Sequence, residues 1–98
     1  MSSQLKVPVV VRDDYTIYLE RFADRTWGHV DFRRWSASSL RAFVADVKML
    51  AQLQGASLLV THYPSDVRHG KFLSLAGATL LTTTTDHRGD PLEVHEFT

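Results

Sequence analysis

Ser36-Ala-Ser-Ser-Leu-Arg-Ala-Phe-Val-Ala-Asp-Val-Lys-Met-Leu-Ala-Gln-Leu-Gln-Gly55 is the stretch on which the fold turns. Within Leu40–Leu53, the residues Leu40, Phe43, Val44, Val47, Leu50 and Ala51 recur at spacings of three and four, which places them on one face of an α-helix. Ser36, Ser38 and Ser39 are candidate N-caps, and Gly55 sits where a helix stops. Arg41, Asp46, Lys48 and Gln52 are expected largely on the opposite, solvated side. A lone helix cannot bury such a stripe, so a sheet must lie beneath it.

The flanking sequence supplies that sheet. Upstream, Leu5–Arg12 is β-branched and apolar but contains Pro8, which suits a short or edge strand. After an Asp13-Asp14 turn, Tyr15–Ala23 alternates, with Tyr15, Ile17, Leu19 and Arg21 on one face and Thr16, Tyr18, Glu20 and Phe22 on the other. Asp24-Arg25 breaks the run. Trp27–Arg34 alternates again, with Val30 and Phe32 opposite His29 and Asp31, so the two runs read as an antiparallel hairpin.

Downstream, Ser57–Thr61 is a short apolar run suited to a strand covered on both faces, and strand–helix–strand order favours a parallel pair with a right-handed crossover. His62–Ser65 reads as a loop. Asp66 is placed to cap a second helix, Val67–Ala76, which Gly77 ends and Gly70 weakens. Ala78–Thr85 is a threonine-rich strand, Asp86–Asp90 a hairpin turn, and Pro91–Phe97 the return strand. The expectation is an α+β (mixed α/β) chain with a mostly antiparallel sheet and two helices in the order β-β-β-α-β-α-β-β, residues 1–98 forming one small domain.

Composition bounds the function. Eleven basic and eleven acidic residues cancel, so the chain lacks the net field that steers proteins to nucleic acid or anionic membranes. It has no cysteine, hence no disulfide framework and no thiolate metal site. No apolar run approaches the roughly 20 residues of a membrane span, and the N-terminus has no signal-peptide core. A cytoplasmic protein, or one released without a signal, is expected.

The element order resembles the C-terminal portion of the GNAT N-acetyltransferase fold, without that family's first strand and first two helices. The resemblance covers about residues 5–98. In the family, the helix after the fifth strand is patterned Asn-x-x-Ala-x-x-x-Tyr-x-x-x-Gly-Phe. Here the corresponding stretch is Asp66-Val-Arg-His-Gly-Lys-Phe-Leu-Ser-Leu-Ala-Gly77-Ala78, in which Gly77 fits and Leu73 stands where the family's general acid tyrosine falls. The resemblance implies acetyl-CoA held between splayed strands, its pyrophosphate on a Gln/Arg-x-x-Gly-x-Gly/Ala loop at the start of the central helix. At that place this chain has Arg33-Arg34-Trp35-Ser36-Ala37-Ser38, with no glycine to let backbone N–H groups approach a phosphate.

The candidate site residues follow. Arg33, Arg34, Ser36 and Ser38 are candidates to hold a phosphate; the plainer alternative is serine capping with the arginines solvated at a strand end. His62 and His69 flank the loop where the resembling family works and are candidate bases. The histidines His29, His62, His69, His87 and His95 form no His-x-x-x-His pair, and no metal is expected. Trp27, Trp35, Tyr15, Tyr18 and Phe22 suit either a core or an interface.

The preferred expectation is a non-catalytic structural or interaction protein on a degenerate GNAT-like fold, self-associating or bound to another protein. Short versions of this fold occur in bacteriophages, including among virion components, so the resemblance implies a virion as an alternative location. No cofactor is expected on this reading. The first alternative is an acetyl-CoA-dependent N-acyltransferase in which His62 or His69 deprotonates an amine. The second is a small regulatory module binding a phosphorylated ligand or nucleic acid, the latter disfavoured by the zero net charge.

Overall fold

The computed structural model describes residues 6–97. The chain is a mixed α+β fold whose elements follow one another as β1 (Val7–Val11), β2 (Tyr15–Phe22), β3 (Arg25–Phe32), α1 (Ala37–Gln54), β4 (Leu58–His62), α2 (Val67–Leu75), β5 (Thr79–Thr85) and β6 (Pro91–Phe97). This is the expected order. The six strands form one sheet in the spatial order β1-β2-β3-β4-β6-β5. Every neighbouring pair is antiparallel except β3 and β4, which run parallel and meet at a single paired position, Trp27 with Leu59.

The boundaries move where local geometry overrides alternation. The β2–β3 turn is Ala23-Asp24, both at positive φ (53° and 61°), so Arg25 already pairs with Phe22. The third strand therefore ends at Phe32, and Arg33 and Arg34 lie beyond it rather than at its end. His62 was expected in a loop, but it closes β4 by pairing with Glu93. Leu5 lies outside the described residues, and the first strand spans only Val7–Val11, with Arg12 already in the turn, its N–H donating to the Tyr15 carbonyl at 2.8 Å.

Helix α1 begins one turn before the apolar stripe because Ser36 caps it, and it ends at Gly55, whose φ of 72° is the left-handed conformation that closes a helix at no Cβ cost. Phe43, Val47, Leu50 and Ala51 face the sheet, where they meet Tyr15 and Ile17 of β2, Leu58 of β4 and Phe97 of β6. Leu73 of α2 and Ala76 after it enter the same cluster, so both helices lie on one face. Four side chains (Tyr15, Ile17, Leu58 and Leu73) are essentially sealed from solvent, and burying each contributes roughly 1.5–3 kcal/mol. The other sheet face carries no helix among the described residues, although Leu59 and Val94 are buried within it.

One expectation about α1 is corrected. Asp46 does not face solvent with Arg41 and Lys48; it is only 6% exposed. Its carboxylate accepts two bonds from the Arg12 guanidinium, at 2.7 and 2.8 Å, and one from the Tyr15 hydroxyl at 2.5 Å. Three hydrogen bonds from these two partners offset the cost of taking a carboxylate out of water. The triad pins the end of β1 to the middle of α1, across β2.

Candidate functional site

Three features hold the candidate residues: the start of α1, the gap between β3 and β4, and the face of α2 above β4.

At the start of α1 the serines satisfy one another. The Ser36 hydroxyl accepts the Ser39 N–H at 3.0 Å, the Ser39 hydroxyl accepts the Ser36 N–H at 2.7 Å, and the Ser36 and Ser38 hydroxyls lie 3.0 Å apart. This reciprocal capping uses N–H groups that a helix start otherwise leaves free. Arg33 and Arg34 are engaged elsewhere. The Arg33 guanidinium donates to the carbonyls of Asp13, at 3.3 Å, and of Arg12. Its backbone N–H and that of Arg34 donate to the Asp14 carbonyl at 2.7 and 3.1 Å, and the Arg34 side chain lies 3.6 Å from the Asp14 carboxylate. The structure thus pairs Ser36 with Ser39 as the cap, sets the Ser38 hydroxyl beside that of Ser36, and ties the Arg33 guanidinium and the Arg34 backbone N–H to the β1–β2 turn.

Beyond their single bridge, β3 and β4 border an open cleft of about 1020 Å³. Gly28, Val30 and Val60 come from the strands, Trp35 from the approach to α1, and His69 and Phe72 from α2. Phe32, Trp35 and Phe72 stack edge to face at centroid distances of 5.3–5.5 Å, forming an aromatic wall. Lys6, Arg68 and Lys71 add positive charge to the lining, and Asp66 adds one negative group. Leu73 is 1% exposed in the core and, as a leucine, offers no proton to this cleft.

His62 and His69 meet. Their Nδ1 atoms lie 2.9 Å apart, and since a hydrogen bond needs one donor and one acceptor, the pair shares one proton there. His62 is buried at the end of β4, while His69 lines the cleft. Burial, the neighbouring His62 and His95 all push the His69 imidazole below its ordinary pKa, only partly offset by Asp66. Sequence reasoning did not connect two further residues to this pair. Glu93 lies 3.9 Å from His62 Nε2 and bonds His95 Nε2 at 2.9 Å, and the His62 and His95 rings meet edge to face at 5.5 Å. The alternation of β6 already put Glu93 and His95 on one side with Phe97; pairing with β4, a long-range event, is what brings them to His62. Gly70 fits here because a Cβ at its position would stand 3.1 Å from His62 Nε2. Chemically, the group can hold a neutral, proton-accepting imidazole at the cleft wall.

His29 instead bonds Glu20 at 2.8 Å across the β2–β3 hairpin. Among the described residues, no group of three or more histidine, aspartate and glutamate side chains is arranged to hold a metal ion, and no helix is long and apolar enough to cross a membrane. Comparison with protein-family models, curated proteins and solved structures finds no match.

Proposed function

We propose that this chain is a non-catalytic interaction protein on a degenerate GNAT-like fold, acting by association with copies of itself or with another protein; the resemblance makes a bacteriophage virion its natural setting. The observation that carries this reading is the start of α1. A pyrophosphate site there needs free N–H groups and unoccupied cations, whereas Ser36 and Ser39 cap one another, which takes up the Ser39 N–H, and the Arg33 guanidinium is bound to carbonyls of the β1–β2 turn. The buried Leu73 adds to it. The exposed surface also suits association: Trp35 and Phe22 are each more than half exposed, and both sheet edges are open to solvent. Calorimetry with acetyl-CoA tests the reading. No heat at millimolar ligand is expected; saturable binding overturns it.

A second reading, acetyl-CoA-dependent N-acyl transfer, is favoured by the cleft beside the β3–β4 bridge and by His69 in its wall. On this reading the pantetheine arm lies along the aromatic wall and the amine loses its proton to His69, with His62 accepting or donating at Nδ1. Acetylation of a panel of primary amines, abolished by His69→Gln with binding retained, is the result that would favour it over the first.

A further inference from the structure

We infer that the outer edge of β5 is a self-pairing surface through which two copies of this chain join antiparallel, centred on Thr83. The inference rests on the proposed role in association and names its surface and partner.

The two edges of the sheet are built differently. β1 carries Pro8, which cannot donate to a ladder, and its register against β2 slips between Pro8 and Val10. These are devices that discourage edge pairing. β5 has neither a proline nor a charged residue, and all seven of its residues are exposed. Its one irregularity falls between Leu80 and Thr82, and from there Thr82, Thr83, Thr84 and Thr85 stay in unbroken register with Val94, Glu93, Leu92 and Pro91. The regular part is therefore four consecutive threonines, a β-favouring residue that pairs well with itself across strands.

The composition also favours a second copy of this chain over another partner. A strand that meets itself across a two-fold axis sets each side chain against one from the same run, so any charge would face its like. The run Leu81–Thr85 contains none, and the chain's net charge of zero removes long-range repulsion between copies. The symmetry limits the register to centres that fall on a residue, and centring before Thr83 would carry the Leu80/Thr82 irregularity further into the paired run. A two-fold axis normal to the sheet keeps both pairs of helices on one side, so opposed residues must come from the same face. Thr83, which pairs with Glu93, is on the helix face, and Thr82 and Thr84 are on the other. Centring on Thr83 opposes Thr83 to itself, Thr82 to Thr84, and Leu81 to Thr85. Centring one residue later would oppose Thr82 to Asp86, whose carboxylate is engaged by Tyr63 at 2.9 Å.

The native chain has no cysteine, so single thiols report the register directly. Mild oxidation of Thr83→Cys is expected to give a covalent dimer. Thr82→Cys and Thr84→Cys are each expected to give no covalent dimer when oxidised alone and to cross-link when mixed. In parallel, light scattering should find the wild type dimeric and Thr83→Lys, with an unchanged circular dichroism spectrum, weakened at least tenfold in association. A wild type that is monomeric at all concentrations overturns the inference, while the proposed role then stands or falls on acetyl-CoA calorimetry. A wild-type dimer that Thr83→Lys leaves intact, with no disulfide from Thr83→Cys, overturns the β5 assignment alone.

Discussion

Replacing Asp46 by alanine tests the least expected structural feature, a buried carboxylate in the middle of the principal helix. Asp46 accepts bonds of 2.7, 2.8 and 2.5 Å from Arg12 twice and Tyr15 once. The Arg12 side chain is half exposed and recovers water when the carboxylate goes, so its share is discounted to about 1 kcal/mol. Tyr15 is wholly buried, and losing its acceptor strands a hydroxyl at a cost of about 1–3 kcal/mol. The sum is about 3 kcal/mol, a large share of the roughly 5–15 kcal/mol that holds a domain together. For a chain of this length, that lowers the melting temperature by roughly 12–24 °C. Urea and thermal unfolding followed by circular dichroism at neutral pH measure it. Because the loss is mostly the stranded hydroxyl, Tyr15→Phe in the Asp46→Ala background should restore about 1 kcal/mol. A loss below about 1 kcal/mol for Asp46→Ala, or additive costs in the double variant, would refute the reasoning.

The same triad sets two limits in pH. Arg12 holds the Asp46 carboxyl below its ordinary pKa, so its stabilisation is complete above that value and is lost as acid protonates it in the fold. Burial and the bond to Asp46 push the Tyr15 hydroxyl up to about 12, so its contribution is complete below its ordinary value near 10 and is lost between there and about 12; Tyr15→Phe should remove this alkaline decline from the stability profile. His69 is held below its ordinary 6.5, so stability should fall as pH drops below 6.5, where the unfolded chain binds the proton more readily, and His69→Gln should flatten that slope. Gly70→Ala should not realise the helix-propensity gain of about 1 kcal/mol, because its Cβ presses on the buried His62; in a His62→Ala background, chemical denaturation should recover that gain.

The order of elements was legible because each has a clear period or punctuation: alternation through Tyr15–Phe22, the three-and-four stripe of α1, and Gly55 at its end. What the local pattern misjudged had long-range causes. Asp46 follows Phe43 by three and precedes Leu50 by four, so it sits within the apolar stripe, but a carboxylate there reads as solvated until Arg12 and Tyr15 come across the sheet to meet it. His62 looked like a loop residue beside Pro64, yet β6 recruits it into the ladder. The histidine pair was half visible, since both members were singled out from their place around one loop; Glu93 and His95 joined them only through strand pairing. The serines at the start of α1 left two readings open in the sequence, a phosphate site or a cap, and the structure has Ser36 and Ser39 capping. The engagement of Arg33 and Arg34 with the β1–β2 turn depends on where β3 ends, which alternation placed two residues too late.

The proposed reading requires that the start of α1, with Ser36 and Ser39 capping one another and Arg33 held by the β1–β2 turn, binds no phosphate. Backbone amide spectra of Ser36, Ala37, Ser38 and Ser39 recorded during titration with coenzyme A test it most directly. The account predicts that these amides stay in place up to millimolar ligand. Saturable shifts confined to those four residues, with release of Arg33 or Arg34 from the β1–β2 turn, would contradict it.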